Sequence, residues 1–172
     1  MVAPTSVWLH GALEARPSSI AGTGLVATEP IPAGIVVIRF GGGLVSTAEL
    51  HALFAEADRR GRYVDTITVD DDVHLVLPEG SLAHFANHSC DPSAWHVGPF
   101  EVATRRTVDA GQELTIDYAT NSGDPSFTMD CTCGSPLCRR VVTGKDWRRP
   151  ELQDRYAGHW VPALDTLIGH RR

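Results

Sequence analysis

The chain has 172 residues, 42% of them apolar, 21% charged and 7% aromatic, which is enough for one buried core and too short for two ordinary domains of roughly 100–200 residues. That composition excludes a disordered tail and a coiled coil. The formal net charge of -6 argues against direct binding to nucleic acid, whose usual footprint is a basic stripe, and leaves basic partners electrostatically permitted.

Residues 1–16 show no basic end followed by an apolar run, and the apolar stretch 35–45 is interrupted by Arg39. The expectation is a soluble chain with no membrane partner, cytoplasmic, or nuclear if the source is eukaryotic or host-directed. Lys145 is the only lysine, which reflects either a GC-rich coding bias or a chain that avoids modifying itself.

Gly, Pro and Asp cut the first 120 residues into short pieces, which read as strands at 24–27, 35–40, 63–69, 73–77, 101–107 and 114–116. The class is therefore mainly β with short helices. One helix follows Ser46: Ser46 and Glu49 have capping-box spacing, Leu50, Leu53, Phe54 and Ala57 form an apolar stripe, and Gly61 follows the last turn. After Asn121 the chain becomes polar and Gly/Pro-containing, and sheet is not expected there. Near the end, Trp160, Ala163, Leu164, Leu167 and Ile168 fall at i, i+3, i+4, i+7 and i+8 with Pro162 at the start, predicting a short amphipathic helix. Its apolar face covers a ligand, meets a second subunit or joins the core, the last being the default; the oligomeric state stays open.

Cys131, Cys133 and Cys138 form a CxCx4C group, with Cys90 far upstream. Four thiolates complement a tetrahedral structural zinc, whereas Cys131 and Cys133 are too close to bridge comfortably. The competing reading is unrelated buried or surface thiols. If zinc binds, Cys90 is the fourth ligand or a His replaces it, and the metal ties the C-terminal segment to Asn87 and His88.

Three further stretches stand in order: Ala21-Gly22-Thr23-Gly24, then Phe85-Ala86-Asn87-His88-Ser89-Cys90-Asp91-Pro92, then Gly111-Gln112-Glu113-Leu114-Thr115-Ile116-Asp117-Tyr118. Gly22 and Gly24 permit positive φ and close backbone approach, in a cofactor loop or an ordinary turn. Asn87 and His88 can bind a ligand or satisfy neighbouring backbone. Tyr118 taken alone is a packing residue with a satisfied hydroxyl. Asp117 and Glu113 are expected to hold loops by hydrogen bonds and not to do acid–base chemistry.

Together with CxCx4C, these stretches resemble the SET-domain lysine methyltransferases, from about Ser19 to Cys138. The resemblance implies small β-sheets around a knot-like crossing over 19–120, a post-SET zinc segment over 121–142, and a C-terminal helical extension over 143–172. It implies that S-adenosylmethionine is bound in one pocket by Gly22, Thr23, Gly24, Phe85, Asn87 and His88, with Val142 or Trp147 closing over its adenine ring. The substrate lysine enters from the opposite face, with Tyr118 catalytic and Tyr63 a second wall of its channel. A structural zinc on Cys90, Cys131, Cys133 and Cys138 is implied too. The chain departs from the family pattern at His84, where an Arg is usual, at Ser93, where Asn is common, and at Ile116, where members often carry Phe or Tyr.

The implied activity is S-adenosylmethionine-dependent methylation of a lysine ε-amine in a basic protein: a histone, histone-like or ribosomal protein. The alternatives are methylation of a small-molecule amine and a catalytically inactive SET-fold binding module.

Overall fold

The computed structural model describes residues 2–170. The first half carries Trp8–Leu9 (β1), Leu13–Pro17 (β2), Thr23–Ala27 (β3), Val36–Arg39 (β4) and Gly43–Val45 (β5), then the helix Thr47–Arg60 (α1), Thr66–Asp70 (β6) and Val73–Val76 (β7). There follow Asn87–His88 (β8), Ala94–His96 (β9), Glu101–Thr104 (β10) and Glu113–Ile116 (β11), then Thr128–Asp130 (β12) and Val141–Thr143 (β13), and last the helices Pro150–Arg155 (α2) and Pro162–Gly169 (α3). The strands pair as β1-β4-β10-β9, β2-β3-β11-β8, β5-β7-β6 and β12-β13. The fold is mainly β in small sheets, as the sequence reading anticipates.

Among the described residues β8 and β11 form the one parallel pair, with Asn87 opposite Thr115 and His88 opposite Ile116. The intervening chain makes β9 and β10 in another sheet before returning. This crossover sets the 87–90 segment against the start of the 117–120 turn.

α1 begins and ends as its sequence predicts. Ser46 Oγ accepts from the Glu49 amide, Glu49 accepts from the Ser46 amide, and Gly61 closes the helix at φ 62. Its apolar stripe is only half covered, however. Leu50 and Ala57 are buried, while Leu53 is 39% exposed, because Leu50, His51 and Phe54 face a cavity instead of a packed wall.

The expected strand 63–69 starts later, at Thr66. Tyr63 is 75% exposed, and the backbone reaches the ladder only where Leu77 N donates to Asp65 O at 3.0 Å. The strand expected over 101–107 ends at Thr104, where Arg105 N turns to Ser93 O at 2.7 Å. The region after Asn121 does contain sheet, which corrects the sequence expectation. β12 and β13 pair Thr128 with Thr143 and Asp130 with Val141, and Cys131 N donates to Arg140 O at 2.7 Å. Strands of three residues are too short to show a period of two.

α3 starts at Pro162 and buries Ala163, Leu164 and Ile168. Trp147, Leu152, Tyr156, Trp160, Leu164 and Ile168 belong to the same core as Leu25, Ile38 and Leu114, so the C-terminal region is packed into the body of the protein. No helix among the described residues is long and apolar enough to cross a membrane.

His96 on β9 is fully buried with neither ring nitrogen hydrogen-bonded, stacked on Phe40 at 6.1 Å. Burial, helped by the nearby His159, pushes its pKa down to about 4 from 6.5. The unfolded chain therefore binds this proton more readily. The stabilisation is complete above pH 6.5 and falls away as pH drops towards 4. We expect the stability lost between pH 7.5 and pH 5, measured by denaturant unfolding, to be about 2 kcal/mol smaller in His96→Phe than in the wild type; an equal loss would show that the ring is not desolvated.

Candidate active site

The site is built on β8, β11 and the turn after β11. Asp117 is the turn's cap: its side chain accepts from Ala119 N at 3.0 Å, and Thr120 bonds back to its carbonyl. The carboxylate is fully buried and receives both terminal nitrogens of Arg139, at 2.7 and 2.6 Å, and the Tyr156 hydroxyl at 3.0 Å. Arg139 Nε lies 2.9 Å from Asp146 Oδ2, close enough for charge attraction though off the line of a hydrogen bond. Three chain segments thus meet at one carboxylate.

His88 is buried beside it, and burial pushes its pKa down to about 4, with Asp117 opposing. Its Nδ1 accepts from Tyr118 N at 3.2 Å. A neutral ring accepting there carries its proton on Nε2, which faces Cys90 Sγ at 3.3 Å. The ring therefore bridges the backbone of Tyr118 and a cysteine sulfur. The Tyr118 hydroxyl donates to Ala86 O at 3.1 Å. Burial, with Tyr63, Asp65 and Glu113 nearby, raises its pKa, so it stays protonated at neutral pH.

Asn87 fixes the loop before β3. Its amide nitrogen faces Glu113 Oε1 at 2.7 Å, Thr23 O at 3.0 Å and Ala21 O at 3.1 Å, and Ser18 Oγ donates to Glu113 Oε2 at 2.7 Å. An added Cβ at Gly24 would sit 2.1 Å from Glu113 Oε1, so a larger residue there would push the Glu113 side chain off Asn87 and Ser18. Gly22 turns the loop at φ 48 with open space around it. Both acids expected to hold loops, Glu113 and Asp117, do so.

The sulfurs of Cys90, Cys131, Cys133 and Cys138 all lie within 4.8 Å of one another. Cys131 Sγ is 3.8 Å from Cys90 Sγ and 3.7 Å from Cys138 Sγ. A tetrahedron with Zn–S bonds of about 2.3 Å has edges of about 3.8 Å. The backbone N–H groups of Arg139 and Cys90 point at Cys90 Sγ and Cys133 Sγ, at 3.3 and 3.5 Å, as thiolates require. The cluster can hold a metal ion and fits zinc, with Cys90 as the fourth sulfur.

On the other side of Tyr118 lies a cavity of about 770 Å³ between α1, the β6–β7 hairpin, residues 121–127 and α3. Tyr118, Tyr63, Ile116 and His84 line it, together with Asp65, Asp70, Asp71, Asp72 and Asp124 and, among the described residues, no Arg or Lys. Tyr63 and His84 lie with ring centroids 5.2 Å apart, and His84 Nδ1 is 3.3 Å from Asp65 Oδ2. The structure thus brings Gly22–Gly24 and Asn87–His88 together on one side of Tyr118, and Tyr63 on the other. Phe85 is half-buried against the core, Val142 is fully buried against the cysteines and Trp147 is buried in the main core; none of the three lines the cavity. Sequence reasoning missed Arg139 and Asp65: a charge following CxCx4C and a lone Asp after a Tyr carry no local signature.

The SET domain family model matches residues 22–119, more than half the chain and the span that carries Gly22, Asn87, His88 and Tyr118. The chain belongs to the SET-domain family. It is similar to histone-lysine N-methyltransferase trr of Drosophila melanogaster, 30% identical over 77% of this chain and 6% of that protein. It is also similar to histone-lysine N-methyltransferase trithorax of Drosophila virilis, 33% identical over 73% of this chain and 3% of that protein. A histone-lysine N-methyltransferase, H3 lysine-4 specific, of Mycosarcoma maydis is 33% identical over 73% of this chain and 9% of its own length. This SET chain therefore corresponds to a small fraction of each relative.

Asp117 and Arg139 are almost dry, and removing one partner leaves the other charge buried. Arg139→Ala is expected to cost about 3–5 kcal/mol, read as a lowered midpoint in urea unfolding; a loss under about 1 kcal/mol would mean that water already reaches the pair.

Proposed function

We propose that the protein is an S-adenosylmethionine-dependent protein-lysine N-methyltransferase that acts on a lysine of a basic protein. The observation that carries this reading is the position of Tyr118. Its amide is held by His88 of the Asn87–Cys90 segment, while its side chain lines a cavity with five aspartates and, among the described residues, no Arg or Lys. A cationic side chain suits that cavity, and the names of the relatives point to lysine in histones. Histones, histone-like proteins and ribosomal proteins are the substrates to try.

The residues around Gly22 fit the methyl donor. Gly22 leaves backbone open to an incoming ligand, and Asn87, whose nitrogen is committed to loop carbonyls, keeps Oδ1 to accept from an ammonium. Bound there, the donor supplies an electrophilic methyl group on a sulfonium.

The chain's own part is alignment and exclusion of water. The Tyr118 hydroxyl, its proton committed to Ala86 O, keeps lone pairs to steer the substrate nitrogen or the polarised methyl C–H groups. With its pKa raised, it is not the base. Ile116 packs beside it as an aliphatic wall. The four cysteines hold a structural zinc with no open position, so the metal contributes folding energy and not chemistry.

Two outcomes are expected. With labelled donor and core histones, Tyr118→Phe loses transfer by roughly 10²-fold while losing only about 1 kcal/mol of stability with its bond to Ala86 O; wild-type protein inactive on every basic protein tried would overturn the assignment. Metal analysis returns about one zinc per chain, and chelation lowers the melting temperature; zinc-free protein that melts as before would leave the cysteines as plain thiols.

A further inference from the structure

The cavity holds one carboxylate–imidazole pair that the reading above leaves unused. Asp65 lies just before β6 with its side chain 29% exposed, and His84, in the short 3-10 turn before β8, places Nδ1 3.3 Å from Asp65 Oδ2. Both line the same cavity as Tyr118. The Tyr63 ring lies against His84 at 5.2 Å, tilted by 50°, and the Phe85 ring against its other neighbour side at 5.5 Å. The His84 ring makes no other hydrogen bond among the described residues. With Nδ1–H directed at the carboxylate, Nε2 carries a free lone pair.

A protein lysine arrives as an ammonium and cannot attack until it has lost a proton. Methyl transfer needs somewhere for that proton to go, and the His84 ring, 46% exposed, can hand it on to solvent. Tyr118 cannot take it, being protonated and committed to Ala86 O. The other titratable groups facing the pair are Tyr63 from its own segment, His51 on α1, Asp70, Asp71, Asp72 and His74 on the hairpin, Asp124 before β12 and His170 after α3. Among these, only Tyr63 touches the His84 ring among the described residues.

We infer that Asp65 and His84 together form the receptor for the substrate's ε-ammonium, in which the Asp65 carboxylate attracts the cation and His84 Nε2 accepts its proton. The proton passes from lysine Nζ to Nε2, giving an imidazolium paired with Asp65. The freed lone pair on Nζ then forms the N–C bond to the methyl group while the C–S bond breaks and its electron pair leaves on sulfur. Burial raises the pKa of Asp65 and the His84 charge opposes this, so a protonated His84 and an ionised Asp65 stabilise each other. His84 stands where the family usually has Arg, which cannot accept a proton; the proton acceptor is thus a feature of this chain's own residues. The inference rests on the lysine-methyltransferase reading.

The binding arm uses n-butylammonium as a lysine mimic and 1-butanol as its uncharged counterpart, with the His84 ring followed by NMR through a pH titration. Butylammonium is expected to move the His84 titration to lower pH by competing for Asp65, 1-butanol to leave it in place, and Asp65→Asn to abolish the response. A ring indifferent to butylammonium overturns the receptor even if methyl transfer is found. The kinetic arm measures kcat against pH on a protein that the wild type methylates. The wild type should gain rate as pH rises and then level off. His84→Gln should lose roughly 10²-fold in kcat at pH 7.5 and keep rising with pH, with KM changed less than twofold. The same profile in both overturns the proton transfer. A butylammonium response in a chain that methylates no protein faults the reaction assigned above and leaves the receptor standing.

Discussion

A carboxylate with no access to water must be satisfied by protein, and in this molecule Asp117 is that carboxylate. Leaving an ion in a dry interior without partners costs several kcal/mol, so the chain has to deliver Arg139, the Tyr156 hydroxyl and the Ala119 amide to it together. Arg139 directly follows the last cysteine and Tyr156 closes α2. The C-terminal region cannot leave without stranding a charge next to the active-site turn. The tail is therefore part of the site's support, although it supplies no wall of the cavity before α3. Tyr118 follows Asp117 directly, so the ion pair that fixes the cap also sets the direction of the tyrosine.

The cysteine cluster reinforces the same turn from the opposite side. His88 receives the Tyr118 amide on Nδ1 and faces Cys90 Sγ with Nε2, so its tautomer is set by the backbone and its ring position by the sulfur. A ligand's neighbour that orients the ligand is the usual second layer of a metal site. Here that layer is also the segment assigned to the methyl donor. Cysteine cluster, proposed donor segment and tyrosine are consequently coupled through one imidazole.

What was legible in the sequence was whatever repeats locally or carries backbone chemistry. The capping box of α1, the Pro start of α3, the strand positions and the CxCx4C group each depend on residues a few positions apart. The partners that finish the site are remote: Asp117 and Arg139 are 22 residues apart and Asn87 and Ala21 are 66 apart, and nothing in either segment announces the other. β2 escaped notice because Glu14, Ala15 and Arg16 are exposed on an edge strand, leaving no alternation to read. His84 stood out as a departure from the family, but its meaning appears only once folding sets Asp65 against it.

The acidic cavity poses an apparent conflict for the proposed methyl transfer. A carboxylate about 4 Å from an ammonium, at an effective dielectric of about 20, holds the proton on nitrogen by about 4 kcal/mol, which favours binding and opposes reaction. Two features of the chemistry remove the conflict. A neutral imidazole beside the carboxylate gives the proton a nearby destination and keeps the cation in the same ion pair. Transfer of a methyl group from sulfonium to amine moves positive charge off the sulfur and onto the nitrogen, towards Asp65 and the other aspartates. Those carboxylates interact more strongly with the transition state than with the neutral amine that precedes it, and only such a differential interaction accelerates a chemical step. Five of the acidic residues behind the net charge of -6, which at first only permitted a basic partner, line the cavity where the growing charge of the reaction would use them.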